Sequence, residues 1–310
     1  MWKALFAGLI RPLSLVCLGV FVLWSCEEAI ELDIEIPKSR LVINSSFVPH
    51  QPVSLTVTAT RPRGGAAVTE ISDAQVSLLE GNELAEELTY HPNKESGQGG
   101  YYRTLAFRPE VGHDYTIHVS VPGYDPVTAV SSIPESVPIR ALSVSELSRR
   151  TEAGEQICDY TLSVDYADPE NETNYYDLRI SQLVIPFEVS AAGDTIRRTP
   201  YIKSIRSPQN PVAEQPTISL LLQDRGPAPP VNLRLQSRLN PDRELLGRVV
   251  AELRTVSPEY FFYQRSLALP IEYPSMGLEE PVIFFNNVES GLGVFAGYNS
   301  VEKDLSLADQ

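Results

Sequence analysis

Val53-Ser54-Leu55-Thr56-Val57-Thr58-Ala59-Thr60 alternates apolar and hydroxyl-bearing residues without interruption. Successive side chains of a β-strand point to opposite faces of a sheet, so this period of two predicts a strand with one buried face. The same alternation returns in Ala74–Leu78 and Tyr115–Val121, and glycine-bearing turns separate the runs. Residues from about Ser39 to Ser132 are therefore predicted to form an antiparallel β-sandwich.

Three short stretches of this segment resemble a known module. Ile71 to Val76, Gly100-Tyr101-Tyr102 and Gly123-Tyr124 are similar to carboxypeptidase-regulatory or transthyretin-like domains. The resemblance implies an immunoglobulin-like or transthyretin-like sandwich that serves as a spacer or docking domain. His118 shares the polar face of its strand with hydroxyl residues, which indicates a solvated histidine and not a metal ligand.

Ile133 to Ile139 interrupts the alternation. Pro134 and Pro138 make this stretch extended and poor at strand pairing, so it is predicted to be a linker, residues 133–139. Strand patterns resume at Ile157–Tyr166, Tyr175–Val184 and Thr217–Leu222. Residues 140–310 are predicted to form a larger antiparallel β-sheet or partial barrel.

One helix is predicted in this second domain, near residues 257–268. Ser257 is a helix cap, Pro258 suits the first helical position and Glu259 places an acid in the first turn. Tyr260, Tyr263, Gln264 and Leu267 then share a helical face, an aromatic stripe that indicates core packing. The preceding Leu245–Val256 fits either strand or helix, and Pro281–Phe285 and Gly293–Tyr298 are predicted to be closing strands.

The amino terminus has the pattern of an exported protein. Lys3 and Arg11 precede an apolar run that ends at Trp24, the arrangement of a signal peptide over residues 1–25. The run Leu23 to Cys26 resembles a bacterial lipobox, which implies cleavage before Cys26 and a lipid anchor on it. An ordinary cleaved signal and an uncleaved anchor are the alternatives.

Residues 26–38 form an acidic tether. Ile30 to Ile36 alternates isoleucine or leucine with glutamate and aspartate, which predicts a short strand. Acids directly after a lipidated cysteine resemble the surface-export signal of Bacteroidota lipoproteins. The resemblance implies an outer-membrane protein that faces the cell exterior, and a plain acidic linker is the alternative.

Composition excludes several classes of function. With 40 acidic and 25 basic residues, the formal net charge of −15 disfavours nucleic acid as a partner. After Cys17 and Cys26, only Cys158 remains, so neither an intramolecular disulfide nor a multi-cysteine zinc site is expected. Cys158 lies in an alternating segment and is predicted to be a buried, inert thiol. Ala167–Asn174 is acidic, but a capped turn is favoured over a calcium site, and no metal or cofactor is predicted.

Enzyme motifs are missing from the sequence. No zinc-peptidase, nucleophile-elbow or phosphate-loop pattern occurs, and Gly291, Gly293 and Gly297 lack the spacing of a dinucleotide fingerprint. No catalytic residue is therefore assigned, and a ligand-binding residue cannot be named. Six prolines between Ser207 and Pro230 predict long exposed loops, where binding commonly resides.

The carboxyl-terminal residues carry a family resemblance. Ser257 to Tyr260, Glu280-Pro281-Val282, Asn286-Asn287 and Gly291 to Tyr298 resemble the closing motif of a Bacteroidota surface-lipoprotein family, catalogued as domain of unknown function 4249. Leu41 to Ile43, Asp168-Pro169 and Asn174 to Tyr176 fit the same family, whereas Gln223–Pro230 departs from it.

This resemblance implies a function. We expect a surface lipoprotein that accompanies a TonB-dependent outer-membrane receptor as a noncatalytic ligand-capture or docking accessory. The membrane contact is expected to come through the lipid on Cys26. A surface hydrolase with an active site assembled from distant residues is one alternative, and a purely structural or adhesive surface protein is another.

Overall fold

Ser54–Ala59, from the alternating run quoted first, forms a strand in a computed structural model of the chain. The structure describes residues 38–60, 69–93, 99–170, 172–208, 214–223, 229–268 and 284–307. Contacts divide the chain into Met1–Lys38 and Ser39–Gln310, and every element below belongs to the second unit. The predicted signal peptide, Cys26 and the tether up to Pro37 lie outside the described residues.

The described residues form β-strands and one α-helix, so the prediction of a mainly β fold with one helix is confirmed. The helix is α1 (Pro258–Leu267). The strands are β1 (Leu41–Phe47), β2 (Ser54–Ala59), β3 (Thr69–Glu70), β4 (Gln75–Glu80), β5 (Glu83–Glu87), β6 (Thr89–His91), β7 (Tyr101–Arg103), β8 (Asp114–Ser120), β9 (Val127–Ser132), β10 (Ile139–Glu152), β11 (Glu155–Tyr166), β12 (Tyr175–Val189), β13 (Thr195–Arg197), β14 (Tyr201–Lys203), β15 (Ile205–Arg206), β16 (Thr217–Gln223), β17 (Val231–Leu239), β18 (Glu244–Val256), β19 (Val288–Glu289) and β20 (Leu292–Ser306).

The strands form three sheets, one of which spans both halves of the chain. The large sheet has 11 strands in the order β13-β12-β18-β20-β1-β2-β7-β6, with β14 and β16 beside β12 and β3 beside β2. A five-stranded sheet, β19-β9-β8-β4-β5, and a four-stranded sheet, β10-β11-β17-β15, complete the fold. Within the described residues no sheet closes on itself, so the second half has the open-sheet form of the prediction.

Two hydrophobic cores lie along the inner face of the large sheet. The first joins its β1–β2–β7 part to the five-stranded sheet and contains Leu55, Tyr115 and Ile117. The second joins its β12–β18 part to the four-stranded sheet. Ile133 belongs to the first core and Val137 to the second, while Phe295 of β20 belongs to the first. The predicted linker 133–139 thus runs between two cores, but the division into domains 39–132 and 140–310 stays a prediction.

β20 is the strand that makes the large sheet continuous. Its first half pairs in parallel with β1, Val42 opposite Leu292 through Phe47 opposite Gly297. Its second half pairs antiparallel with β18, Val256 opposite Tyr298 through Arg248 opposite Ser306. One strand therefore supplies the backbone partners for both halves.

The outer face of the large sheet carries α1. Strand alternation turns Phe295 into the first core and turns Val294 and Ala296 to the other side, where they contact the helix residues Tyr260 and Phe261. The helix thus covers β20 at the seam between the two halves.

Two strand expectations near the carboxyl terminus are resolved. Leu245–Val256, which fitted strand or helix, is a strand within β18. Phe284 and Phe285 of the predicted closing strand are not in a strand, because the Phe285 N–H donates to Ser266 Oγ (3.2 Å) at the end of α1. Pro281 to Ile283 lie outside the described residues. Gly293–Tyr298 is part of β20, as predicted.

Among the described residues, no helix, α1 included, has the length and apolar character needed to span a bilayer.

Replacing Gly293 with alanine should destabilise the junction of β1 and β20. Its φ of +108° is a conformation that L-residues rarely adopt, and an added Cβ would lie 1.9 Å from the backbone oxygen of Ile43. We expect the free energy of unfolding to fall by more than about 2 kcal/mol in urea denaturation.

Gly123→Ala is the matched control for this variant. Gly123 also has a positive φ, +85°, but its Cβ would meet no atom within 4 Å. Gly123→Ala should lower the free energy of unfolding by only about 1 kcal/mol, the cost of the positive φ for an alanine. Equal losses for the two variants would show that the close approach of β1 to β20 contributes nothing.

Candidate functional site

Helix α1 begins at the predicted cap. Ser257 Oγ accepts a hydrogen bond from the Tyr260 N–H (3.3 Å), and Pro258 occupies the first turn. Ser131 of β9 donates to Glu259 Oε2 at 3.0 Å. The cap therefore ties the helix start to the five-stranded sheet as well as to its own first turn.

The hydroxyl group of Tyr260 is the centre of a polar cluster beneath the helix. It donates to Asp177 Oδ2 (3.0 Å) and accepts from the guanidinium groups of Arg179 (3.3 Å) and Arg254 (3.4 Å). Asp177 is buried, with 1 % of its side chain exposed. A buried carboxylate needs such partners because leaving it unpaired costs several kcal/mol.

The charges of this cluster alternate on two neighbouring strands. Asp177 pairs with Arg179 (2.8 Å) along β12, and Glu252 pairs with Arg254 (2.7 Å) along β18. The register sets Asp177 opposite Arg254 and Arg179 opposite Glu252. Each charge thus has opposite charges beside it. The sequence analysis did not predict this cluster, although its local signal is visible: in each strand a carboxylate stands two residues before an arginine.

The pKa values reflect this environment. Burial, reinforced by the charge of Asp177, raises the pKa of Tyr260, so the phenol stays protonated and remains a donor. Burial alone would lower the pKa of Arg254, but its hydrogen bonds to Glu252 outweigh that effect and the pKa is raised. The Tyr260 phenol and the Arg254 guanidinium therefore stay protonated and hold the helix to the sheet.

The aromatic stripe is buried at its beginning only. Tyr260 and Phe261 are buried, whereas Tyr263 is half-buried and Leu267 is 49 % exposed. The expectation that Leu267 shares the core face is wrong, because the sheet beneath supports only the first turns of α1. The far half of the helix is a ridge with a groove on each side.

The first groove lies between α1 and β16. It has a volume of about 670 Å³ and is lined by Ser219, Leu221, Gln223, Phe261 and Gln264 among others. Ser219 Oγ donates to Asp177 Oδ1 at 2.5 Å. The carboxylate already binds Arg179 and Tyr260, and the four histidines of the chain all lie between positions 50 and 118. Among the described residues, neither Ser219 nor Asp177 forms a hydrogen bond with a histidine side chain.

The second groove, named the tyrosine groove here, lies between α1 and the outer face of β1, β2 and β7. Its two parts, about 370 and 440 Å³, share Ser46, Ser54 and Tyr101. Tyr263 and Gln264 of the helix border the first part, and Tyr298 borders the second. The two parts together form one open trough of aromatic, aliphatic, hydroxyl and amide groups.

A third feature is a projecting arm, residues 186–203, made of the end of β12 with β13 and β14. Four large apolar side chains of this arm are 42 to 62 % exposed: Val189, Ile196, Tyr201 and Ile202. Strand β13 is the last strand of the large sheet's path, so within the described residues its outer edge has no strand partner. The arm is fixed at its base by Glu244, which accepts from Lys203 Nζ (2.9 Å) and from Tyr201.

The residues that the sequence analysis considered as candidate site residues do not line these grooves. Cys158 is buried and burial raises the pKa of its thiol, as expected of an inert cysteine. His118 is exposed, and its Nδ1 lies 2.7 Å from Thr128 Oγ1. Asp168, in the loop weighed for calcium, accepts from the Tyr176 hydroxyl. Among the residues that the structure describes, no group of three or more His, Cys, Asp or Glu is placed to hold a metal ion.

Comparison with protein families identifies the family of this chain. A family model described as a domain of unknown function (DUF4249) matches residues 27–304. The chain belongs to this family. No curated protein matches the chain.

The DUF4249 closing motif has structural roles in this member. The Asn287 side chain is anchored to β20, donating to Phe295 O (2.8 Å) and accepting from Phe295 N (3.1 Å). Gly297 is required for space, since a Cβ there would lie 2.3 Å from Ser132 O. In the departing stretch, β16 ends at Gln223 and β17 begins at Val231, with 224–228 outside the described residues.

Tyr260→Phe should destabilise the protein by about 1 to 3 kcal/mol, because it removes one hydrogen bond to buried Asp177 and the acceptor of one hydrogen bond from each of two arginines. Tyr263→Phe is the control: its hydroxyl bonds only the exposed Asn44 (3.2 Å), and its loss should cost less than about 0.5 kcal/mol. Thermal unfolding of both variants measures the difference. Similar melting temperatures for the two would contradict the role of Tyr260 as a fastening.

Acid should loosen the arm. Burial alone would raise the pKa of Glu244, but hydrogen bonds from Tyr201, Lys203 and the Asn240 N–H outweigh it, so the pKa lies below the ordinary value of 4.5. A lowered folded-state pKa gives stability that is present above the unfolded value and is lost as pH falls through the folded one. Amide exchange at Tyr201–Lys203, corrected for intrinsic rates, should therefore accelerate below pH 4.5.

Glu244→Gln is the control for this titration. The variant should exchange faster at neutral pH and show no further acceleration in acid. A wild-type arm whose corrected exchange does not change with pH would refute the role assigned to Glu244.

Proposed function

We propose that the protein is a surface-exposed outer-membrane lipoprotein that serves as a noncatalytic docking and capture accessory of a TonB-dependent transport system. In this proposal Cys26 carries the lipid, residues 26–38 are the tether and Ser39–Gln310 is the working body. The partner is a TonB-dependent receptor in the same membrane.

The exposed arm is the observation that carries the proposal. Clustered exposed apolar side chains on a sheet edge mark a contact site for another protein, because unpaired strand groups accept a further strand. Ile196 and Ile202 are 44 and 51 % exposed there. A monomer gains nothing from such an edge, whereas a partner's strand would satisfy both its backbone and its apolar surface.

Charge makes the arm distinct from the rest of the chain. Within the arm, residues 186–203, there are three basic residues, Arg197, Arg198 and Lys203, against two acidic ones, whereas the chain as a whole is strongly acidic. A partner with an acidic rim around an apolar strand would fit the arm and would be repelled by the body. This difference favours one orientation of docking.

The alternatives from the sequence remain hypotheses. A surface hydrolase needs a nucleophile with a base, and among the described residues neither Ser219 nor Asp177 forms a hydrogen bond with a histidine. A purely adhesive protein needs no defined partner. Affinity capture of a partner distinguishes a purely adhesive protein from a docking accessory.

Affinity capture of the tagged chain from mild-detergent membranes tests the proposal. The wild-type protein should recover a TonB-dependent receptor reproducibly, and Ile196→Asp with Ile202→Asp should reduce that recovery about ten-fold or more, since charges replace the docking surface. Leu84→Asp is the matched control, because Leu84 is 60 % exposed and lies in β5 of the five-stranded sheet, outside the arm. Cys26→Ala should leave the outer-membrane fraction.

Three outcomes would defeat the proposal. Recovery of the lipoprotein alone under every growth condition would remove the partner. An unchanged yield of receptor with the arm variant would remove the docking site. A Cys26→Ala protein that still fractionates with the outer membrane would remove the anchor.

A further inference from the structure

The tyrosine groove has a chemistry of its own, separate from the arm. Neither of its parts is lined by an aspartate or glutamate, although the chain carries 40 acidic residues. Its lining combines tyrosine rings with serine, threonine, asparagine and glutamine side chains, the apolar residues Phe47, Val48, Pro52, Leu55 and Val294, and one charged group, Arg103. The surface therefore offers hydrogen-bonding side chains and apolar or aromatic faces, with no carboxylate to hold a cation, which suits a neutral or anionic ligand that has both hydroxyl groups and C–H surface.

Three tyrosine rings border the groove, and each is held by a neighbour. Tyr101 stacks on His91 at 5.5 Å, and the guanidinium of Arg254 lies 4.5 Å from the centre of the Tyr298 ring. The Tyr263 hydroxyl donates to Asn44 Oδ1. Rings fixed in this way lose little freedom when a ligand arrives, which favours binding.

The hydrogen-bonding groups of the groove belong to side chains. Its floor is the face of β1 and β2, whose backbone groups already pair within the sheet, for example Asn44 with Thr56. A peptide strand would find no free backbone edge there. Hydroxyl and amide side chains are instead donors and acceptors at once, which suits the hydroxyl groups of a sugar, and tyrosine faces suit its C–H surface.

Arg103 places a positive charge in the second part of the groove. It borders the second part, and among the described residues none of the ion pairs involves it. An arginine that is open to a groove binds carboxylates in a bidentate manner. We propose that the tyrosine groove binds an oligosaccharide and that Arg103 selects a carboxylate-bearing sugar unit.

The groove's combined size is consistent with this ligand. Each part lies within the range of about 300 to 1,000 Å³ that small-molecule sites occupy. The two parts meet at Tyr101, so consecutive sugar units would cross one ring. This inference does not depend on the arm or on a receptor.

Calorimetric titration of the full chain tests the inference, in a zwitterionic detergent because sugar-headed detergents would compete. The probes are tetrasaccharides of galacturonate, mannuronate, glucose, mannose and xylose. At least one uronate should bind, with an affinity that falls as salt is added. Tyr101→Ala should weaken it about ten-fold, and Arg103→Gln should weaken the uronate about ten-fold while sparing a neutral sugar.

Leu84→Ala, which truncates a 60 % exposed side chain outside both the groove and the arm, is the control and should bind as the wild type does. Absence of binding for all five probes would overturn the inference. Uronate affinity that is unchanged in Arg103→Gln would overturn the assigned selection, and equal losses in Tyr101→Ala and Leu84→Ala would overturn the location. If the sugar binds but affinity capture recovers no receptor, the groove inference is supported and only the docking proposal fails.

Discussion

The hydrogen bonding of β20 to both β1 and β18 is the constraint on which the rest of the fold depends. Without that strand the large sheet would separate between its β12–β18 part and its β1–β2–β7 part. The two smaller sheets would then cover two unconnected halves. Phe295 also stacks on Phe47 at 4.5 Å, so the same strand fills the first core.

The features proposed to bind other molecules follow from the position of this strand. Because β20 turns Val294 and Ala296 outward, the only described helix settles on the seam between the halves. Tyr260 fastens its beginning, and its unsupported end rises as a ridge. The tyrosine groove thus has one wall from the first half of the chain and one from the helix of the second. Neither half alone could form it.

Local pattern predicts local structure in this chain, and pairing over long distances lies beyond it. Adjacent residues are enough to specify a strand by the alternation in Ser54–Ala59. They are also enough to specify a helix start by the cap Ser257-Pro258-Glu259. The parallel pairing of β1 with β20 has no such signal, because a period of two shows that a strand has a buried face and not which strand lies beside it.

The candidate sites were harder to predict for the same reason. Asp177 and Tyr260 are 83 positions apart, and their contact arises only when β12 lies under α1. Strand β12 was expected to end at Val184 and runs on to Val189, since Pro186 is accommodated without its N–H while its carbonyl accepts from Arg198 N (2.7 Å). The exposed arm exists because of this extension.

The pairing of β1 with β20 also governs the order in which the protein can assemble. Arg40 donates to Gly291 O across 251 positions, so the first strand of the body has no partner on that edge until the last part of the chain has been made. Contacts of such long range slow folding, since a large loop must close before they form. A chain that is threaded through a membrane from its amino terminus would stay incomplete, with an open β1 edge, throughout its passage. The same topology that joins the two halves therefore delays the finished fold until β20 is available to pair with β1.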